Sequence, residues 1–149
     1  MNKDLIQDTL NWFKAAVPAP SEENACVQIG CHIEEMAEFV ESISRGSYLG
    51  KNLEQRAIDF KTCQPYNMKS VSLVDESGER SVEMLDALCD MIVTAVGVAH
   101  MMGWNIKDAL AEVNRSNFSK FENGGPVFHP NGKIKKGDNY TPPNLKPYV

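Results

Sequence analysis

Glu34-Glu35-Met36-Ala37-Glu38, followed by Glu41, is the first of two acidic clusters in the chain. On a helix, Glu34, Glu38 and Glu41 follow i, i+4, i+7 and share a stripe. Glu35 and Glu38 stand one turn apart and can converge on one point. The second cluster is Glu83, Asp86 and Asp90, at i, i+3, i+7. Like charges one turn apart cost a helix about 0.2–0.5 kcal/mol per pair unless something neutralises them. After Asp90 no charged residue occurs until Lys107, and the positions continuing the stripe are Thr94, Gly97 and Met101. A solvated face stays polar to its end. This helix is therefore expected to be enclosed on most sides, with its carboxylates entering a buried environment. Buried and unpaired, they would be costly or take up protons. A divalent cation removes that problem.

The residue types choose the cation. Carboxylates without histidine or thiolate partners suit hard ions, Mg²⁺ or Mn²⁺. His32 lies near Glu35 in sequence and reads as a core or supporting group. No D-x-D-x-D-G loop occurs, which excludes an EF-hand, and no Glu-x-x-His pair occurs, which argues against a di-iron bundle. Mg²⁺ on a few carboxylates keeps positions open for water and substrate phosphates, and two or more such ions can activate the water and steady a leaving phosphate. The natural chemistry is hydrolysis of a phosphoanhydride. The plainer alternative is a solvated acidic surface.

Helices must position these groups. A first amphipathic helix is expected over about Lys3 to Ala16, ended by Val17-Pro18-Ala19-Pro20. Ser21 can cap a second, running to about Ser44, with Ile29, Ile33, Met36, Ala37 and Val40 on its apolar face. A short third helix spans Leu53 to Phe60, and residues 61–80, with Pro65, Asn67 and Gly78, read as a loop. The fourth helix runs from about Glu79 to Met102, with Gly103 as its C-terminal cap. Asn105 caps a fifth, to about Phe121. The tail, about residues 122–149, is irregular or a hairpin turning at Pro130-Asn131-Gly132-Lys133, between Val127-Phe128 and Ile134. The expected class is all-α, a four- to five-helix bundle with that tail, in one domain over residues 1–149.

Length and charge bound the function. The 149 residues suit one domain, and 42% hydrophobic with 23% charged residues is ordinary globular usage. The net charge of −5 hides an asymmetry: residues 1–114 carry 18 acids and 9 bases, and residues 115–149 carry 2 acids and 6 bases. An acidic body argues against a nucleic-acid partner; with a basic tail it suits a cation and a small polyanion. The N-terminus lacks the pattern of a secretory signal, and the uncharged stretch from Met91 to Ile106 falls short of the ~20 apolar residues of a membrane span. A cytoplasmic location is expected, with no membrane partner. Cys26, Cys31, Cys63 and Cys89 form no C-x-x-C pair and read as reduced core thiols.

Glu34-Glu35-x-x-Glu38 and Glu83-x-x-Asp86, together in an all-α chain, resemble the MazG-type nucleoside triphosphate pyrophosphohydrolases. The run Glu83-x-x-Asp86-Ala-Leu-x-Asp90, Gly97, Gly103, Glu112-Val113-Asn114-Arg115-Ser116-Asn117 and Ser119-Lys120 is similar to the phosphoribosyl-ATP pyrophosphohydrolase-like branch, as is Lys136-Gly137-Asp138-Asn139-Tyr140-x-Pro142-Pro143. The resemblance covers roughly residues 28–45 and 79–146. It implies cleavage of a nucleoside triphosphate between the α- and β-phosphates, to a monophosphate and pyrophosphate, with Mg²⁺ on the carboxylates. It also implies a homodimer or homotetramer. Phage-borne relatives trim deoxynucleotide pools, including dUTP or dGTP. Many relatives place E-x-x-D directly before an apolar run, which would put its Glu at Ala87; alanine cannot ligate, so Glu83 and Asp86 are the favoured ligands and Asp90 a third candidate.

The expected roles follow. Glu35, Glu38, Glu83, Asp86 and Asp90 are the metal-site candidates, and Glu34 orients or deprotonates the attacking water. Asn114, Asn117 and Lys120, at i, i+3, i+6, could hold ribose or base by the amides and phosphate by the lysine. Lys133, Lys135 and Lys136 could close over the triphosphate, and Tyr140 or Trp104 could stack on a base. The competing functions are phosphoribosyl-ATP cleavage and a non-catalytic helical protein whose acids bind Mg²⁺ or a basic partner.

Overall fold

The computed structural model describes residues 4–128 and 134–149. Among them are six helices, α1 (Leu5–Ala16), α2 (Glu22–Ile43), α3 (Tyr48–Lys61), α4 (Pro65–Glu76), α5 (Gly78–Met101) and α6 (Ile106–Phe118), and a 3-10 turn at Lys146–Tyr148. The all-α class is as the sequence predicts. No described helix is long and apolar enough to cross a membrane.

The caps explain most boundaries. Ser21 accepts from the Asn24 N–H while the Asn24 side chain accepts from the Ser21 N–H, a reciprocal capping box that starts α2. Asp4 accepts from the Gln7 N–H and Asn105 from the Asp108 N–H, which start α1 and α6. Gly103 holds φ +77°, the left-handed turn that ends α5.

Two boundaries depart from expectation. Ser47 caps α3 by accepting from the Gly50 N–H, so α3 begins five residues before Leu53. The segment expected to be a loop holds α4, because Pro65 sits in its first turn, where its missing N–H costs nothing. Proline there is a start signal rather than a breaker.

The chain divides into two compact units, residues 20–87 and residues 1–19 with 88–149. In the first, α2 and α3 form an antiparallel pair whose seam is made of small residues. Gly30 and Ala37 on α2, and Gly50 and Ala57 on α3, are all buried. A Cβ on Gly30 would lie 2.8 Å from both the Ala57 carbonyl oxygen and the Lys61 nitrogen. The backbones can approach this closely only because no side chain intervenes. α4 lies against α2 and α3.

In the second unit α1 lies against α6. The Asn114 amide donates to the Leu5 carbonyl at 3.0 Å and accepts from the Thr9 hydroxyl at 3.0 Å. Trp12 donates from Nε1 to the Asn117 carbonyl at 2.9 Å and stacks on Phe121. Asn114 is only 3% exposed. Asn114→Ala is therefore expected to destabilise the fold by about 1–3 kcal/mol, the cost of leaving buried partners unsatisfied. Urea denaturation checks this; an unchanged midpoint with a raised KM would return Asn114 to the substrate.

The tail folds onto α6. Phe128 and Ile134 pair antiparallel, as the hairpin reading requires, while its turn residues 130–133 lie outside the described residues, as does Lys3. Glu112 and Arg115 clamp the tail: Arg115 donates to Glu112 at 2.7 and 2.8 Å, to the Thr141 hydroxyl and to the Pro142 carbonyl, and the Asn144 N–H donates to Glu112 at 2.9 Å.

α5 is where the predicted enclosure fails. Glu83, Asp86 and Asp90 are exposed, and so are Val82 (70%), Leu85 (63%) and Val93 (67%). The uncharged run signals a surface that favours cover, but a sequence pattern does not say which molecule supplies it. The cysteines are free. Cys26 is core as expected, but Cys89, on α5, is exposed.

Candidate active site

A groove of about 520 Å³ lies within the unit of residues 20–87, along the C-terminal half of α2 and the start of α3. Glu34, Glu38 and Glu41 all line it, as their i, i+4, i+7 spacing requires. Facing them are Arg45, Lys51 and Glu54. The groove joins carboxylates to cations, a composition suited to a metal-bridged polyanion.

Each α2 carboxylate has a distinct setting. Glu34 accepts from Lys61 Nζ at 2.5 Å, and Lys61 is the more buried partner. An ion pair thus holds the group expected to orient or deprotonate water. Glu41 accepts from the Gly46 N–H at 2.7 Å and fixes the turn into α3. Glu35 and Glu38 are exposed on α2, one turn apart. Glu83 and Asp86 are exposed on α5, and Asp90 belongs to the other unit. Among the described residues no three His, Cys, Asp or Glu side chains come together to hold a metal. The two acidic motifs are both displayed, but the single chain does not gather them.

The polar strip on α6 has another task. Asn114 bonds to Leu5 and Thr9 of α1, as described above. Asn117 Oδ1 accepts from Lys120 Nζ at 2.8 Å, and Lys120 lies 5.8 Å over the Trp12 ring. The strip contacts α1 through Asn114, the Asn117 carbonyl and Lys120. Lys136 lies 4.9 Å over the Tyr140 ring. The Lys135 N–H donates to the Val127 carbonyl, Lys135 is exposed, and Lys133 lies outside the described residues.

Glu112 is a strongly perturbed carboxylate. Its hydrogen bonds from Arg115 and then from the Asn144 N–H hold its pKa down at about 2, from an ordinary 4.5. The Glu112-to-Asn117 string that carries the family resemblance thus serves the clamp and the α1–α6 contact.

Sequence reasoning missed Lys61, Arg45 and Lys51. Lys61 closes the last turn of a helix expected to stop at Phe60. Arg45 follows α2 and Lys51 lies in the first turn of α3, on either side of Gly46 and Gly50. The available signal was two cations flanking a glycine turn just after an acidic stripe.

An all-helical chain that displays E-E-x-x-E and E-x-x-D motifs belongs to the class of nucleotide pyrophosphohydrolases. It matches the phosphoribosyl-ATP pyrophosphohydrolase family model over residues 7–117, and so belongs to that family, within the MazG-like all-α superfamily. No curated protein and no solved structure matches it. Family membership carries hydrolysis of a phosphoanhydride bond in a nucleotide.

Proposed function

We propose that this protein is a Mg²⁺-dependent pyrophosphohydrolase that cleaves a nucleoside triphosphate between the α- and β-phosphates, releasing a monophosphate and pyrophosphate. Its role is pool-shaping or house-cleaning in the cytoplasm, with dGTP and dUTP as candidate substrates and no nucleic acid or membrane as partner. The observation that carries the reading is the groove in which Glu34, Glu38 and Glu41 face Arg45 and Lys51.

The donor chemistry fits a hard cation: Glu35 and Glu38 are exposed and one turn apart, and Glu83 and Asp86 are exposed on α5. Glu35, Glu38, Glu83 and Asp86, with Asp90 as a further candidate, would hold Mg²⁺ or Mn²⁺. Bound there, two or more ions would polarise phosphoryl oxygens and acidify a water. Arg45 and Lys51 balance the charge of the departing pyrophosphate. Water adds to the α-phosphorus, the P–O bond from it to the bridging oxygen breaks, and that bond's electron pair leaves with pyrophosphate. Glu34, a groove carboxylate outside the proposed metal set, takes the proton. Glu34, anchored by Lys61, orients the water.

The exposed apolar residues of α5 support a homodimer or homotetramer, because a monomer rarely leaves so much contiguous apolar surface to water. A second copy covering α5 would also bring further carboxylates to the centre that one chain leaves ungathered.

The family match favours a second reading, in which phosphoribosyl-ATP is the substrate of the same bond cleavage. A pyrophosphate-release assay over all (d)NTPs and phosphoribosyl-ATP, with and without EDTA, tests both. Metal-dependent turnover of a (d)NTP is expected. Turnover of phosphoribosyl-ATP alone selects the second reading, and no turnover of any of them leaves the non-catalytic helical protein.

A further inference from the structure

Away from the groove, two thiols from distant parts of the chain meet at the opposite end of the α2–α3 pair. Cys26 is in the second turn of α2 and fully buried, and Cys63 follows the C-terminus of α3 and is partly exposed. Cys26 Sγ donates to the Phe60 carbonyl at 3.4 Å, and the Cys63 N–H donates to that same oxygen at 2.9 Å. Cys63 Sγ in turn donates to the Glu23 carbonyl, one turn before Cys26, at 3.9 Å. The approach of the two thiols is thus fixed from both helices.

The backbone adds a second observation. Cys63 holds φ +49°, in the left-handed region, where a helix exit ordinarily carries glycine or asparagine. A glycine would relieve that conformation but remove the sulfur from beside Cys26.

We propose that Cys26 and Cys63 are a reversible dithiol–disulfide pair, oxidised by a small-molecule disulfide of the glutathione class. Cys63, the accessible partner, attacks as thiolate one sulfur of the oxidant. The oxidant's S–S bond breaks, and its other half leaves with the electron pair and takes a proton. Cys26, deprotonated, then attacks the Cys63 sulfur and expels the second small thiol. Two protein thiols lose two electrons and two protons, and one external disulfide becomes two thiols. Burial and the neighbouring Cys63 push the Cys26 thiol up to about 11, which keeps it inert until Cys63 carries the leaving group. The bridge would staple the start of α2 to the turn between α3 and α4, and so lock the pair that presents Glu34 and Lys61.

The test incubates the full chain with oxidised glutathione, alkylates the remaining thiols and maps peptides by mass spectrometry. The expected product is a Cys26–Cys63 linked peptide, two hydrogens lighter and reversed by dithiothreitol, with a raised melting temperature. Cys26→Ser should stop at a glutathione adduct on Cys63, and Cys63→Ser should leave Cys26 unmodified, neither gaining thermal stability. A persistent Cys63 adduct in the native chain, a bridge through Cys31 or Cys89, or a Cys26–Cys63 bridge formed only in denaturant would each overturn the proposal.

Discussion

Glu38→Ala is expected to lower turnover about a hundredfold or more, the scale of losing one charge-stabilising group at a reacting phosphate. Its fold should persist, because Glu38 is exposed and alanine is a better helix former. Far-UV circular dichroism should therefore match the parent while Mg²⁺-dependent pyrophosphate release collapses. Asp86→Ala, on α5, is expected to fall by a similar factor, with helicity again intact. Among the described residues no three His, Cys, Asp or Glu side chains gather to hold a metal. Comparable losses would support the proposal that both residues serve one centre. Retained metal-dependent activity in both variants would remove the catalytic assignment of the two motifs.

A large effect on stability is also expected at Gly30. Helix propensity alone favours Gly30→Ala by about 1 kcal/mol. The seam opposes it more strongly. The new Cβ would meet two backbone atoms of α3 at 2.8 Å and Lys61 Cγ at 2.7 Å. The lysine methylene can move; the Ala57 carbonyl and Lys61 nitrogen belong to the helix and move only if α3 does. A net loss of about 1–3 kcal/mol is expected, typical of overpacking a close contact. The midpoint of urea denaturation measures it. A midpoint that rises, as propensity alone demands, would mean that the helices separate there at little cost.

The helices that begin with Ser21 and Asn105, and the stop at Gly103, were legible because each signal is local: a side-chain acceptor two or three residues from an orphan N–H, or a glycine at a left-handed exit. The stripe of Glu34, Glu38 and Glu41 was legible for the same reason, since one helix alone puts these residues along one groove. Pro65 was misread because its meaning depends on whether a helix follows, and the residues after it have weak periodicity. The contacts of Asn114, Asn117 and Lys120 with α1 were not legible, because an amphipathic polar strip looks the same whether it faces solvent, substrate or a neighbouring helix. Trp12, which receives that strip, lies more than 100 residues away in sequence. Lys61 as the partner of Glu34 was illegible on similar grounds: the pairing depends on how α3 lies along α2.

Glu112 holds its proton affinity so low that the charge survives to about pH 2, well below the 4.5 at which an ordinary carboxylate lets go. The anchorage it gives is full above that ordinary value and is lost progressively as pH falls toward the depressed one. Residues Thr141 to Asn144 are thus moored to α6 at neutral pH, and this stretch behaves as part of the scaffold rather than as a free arm.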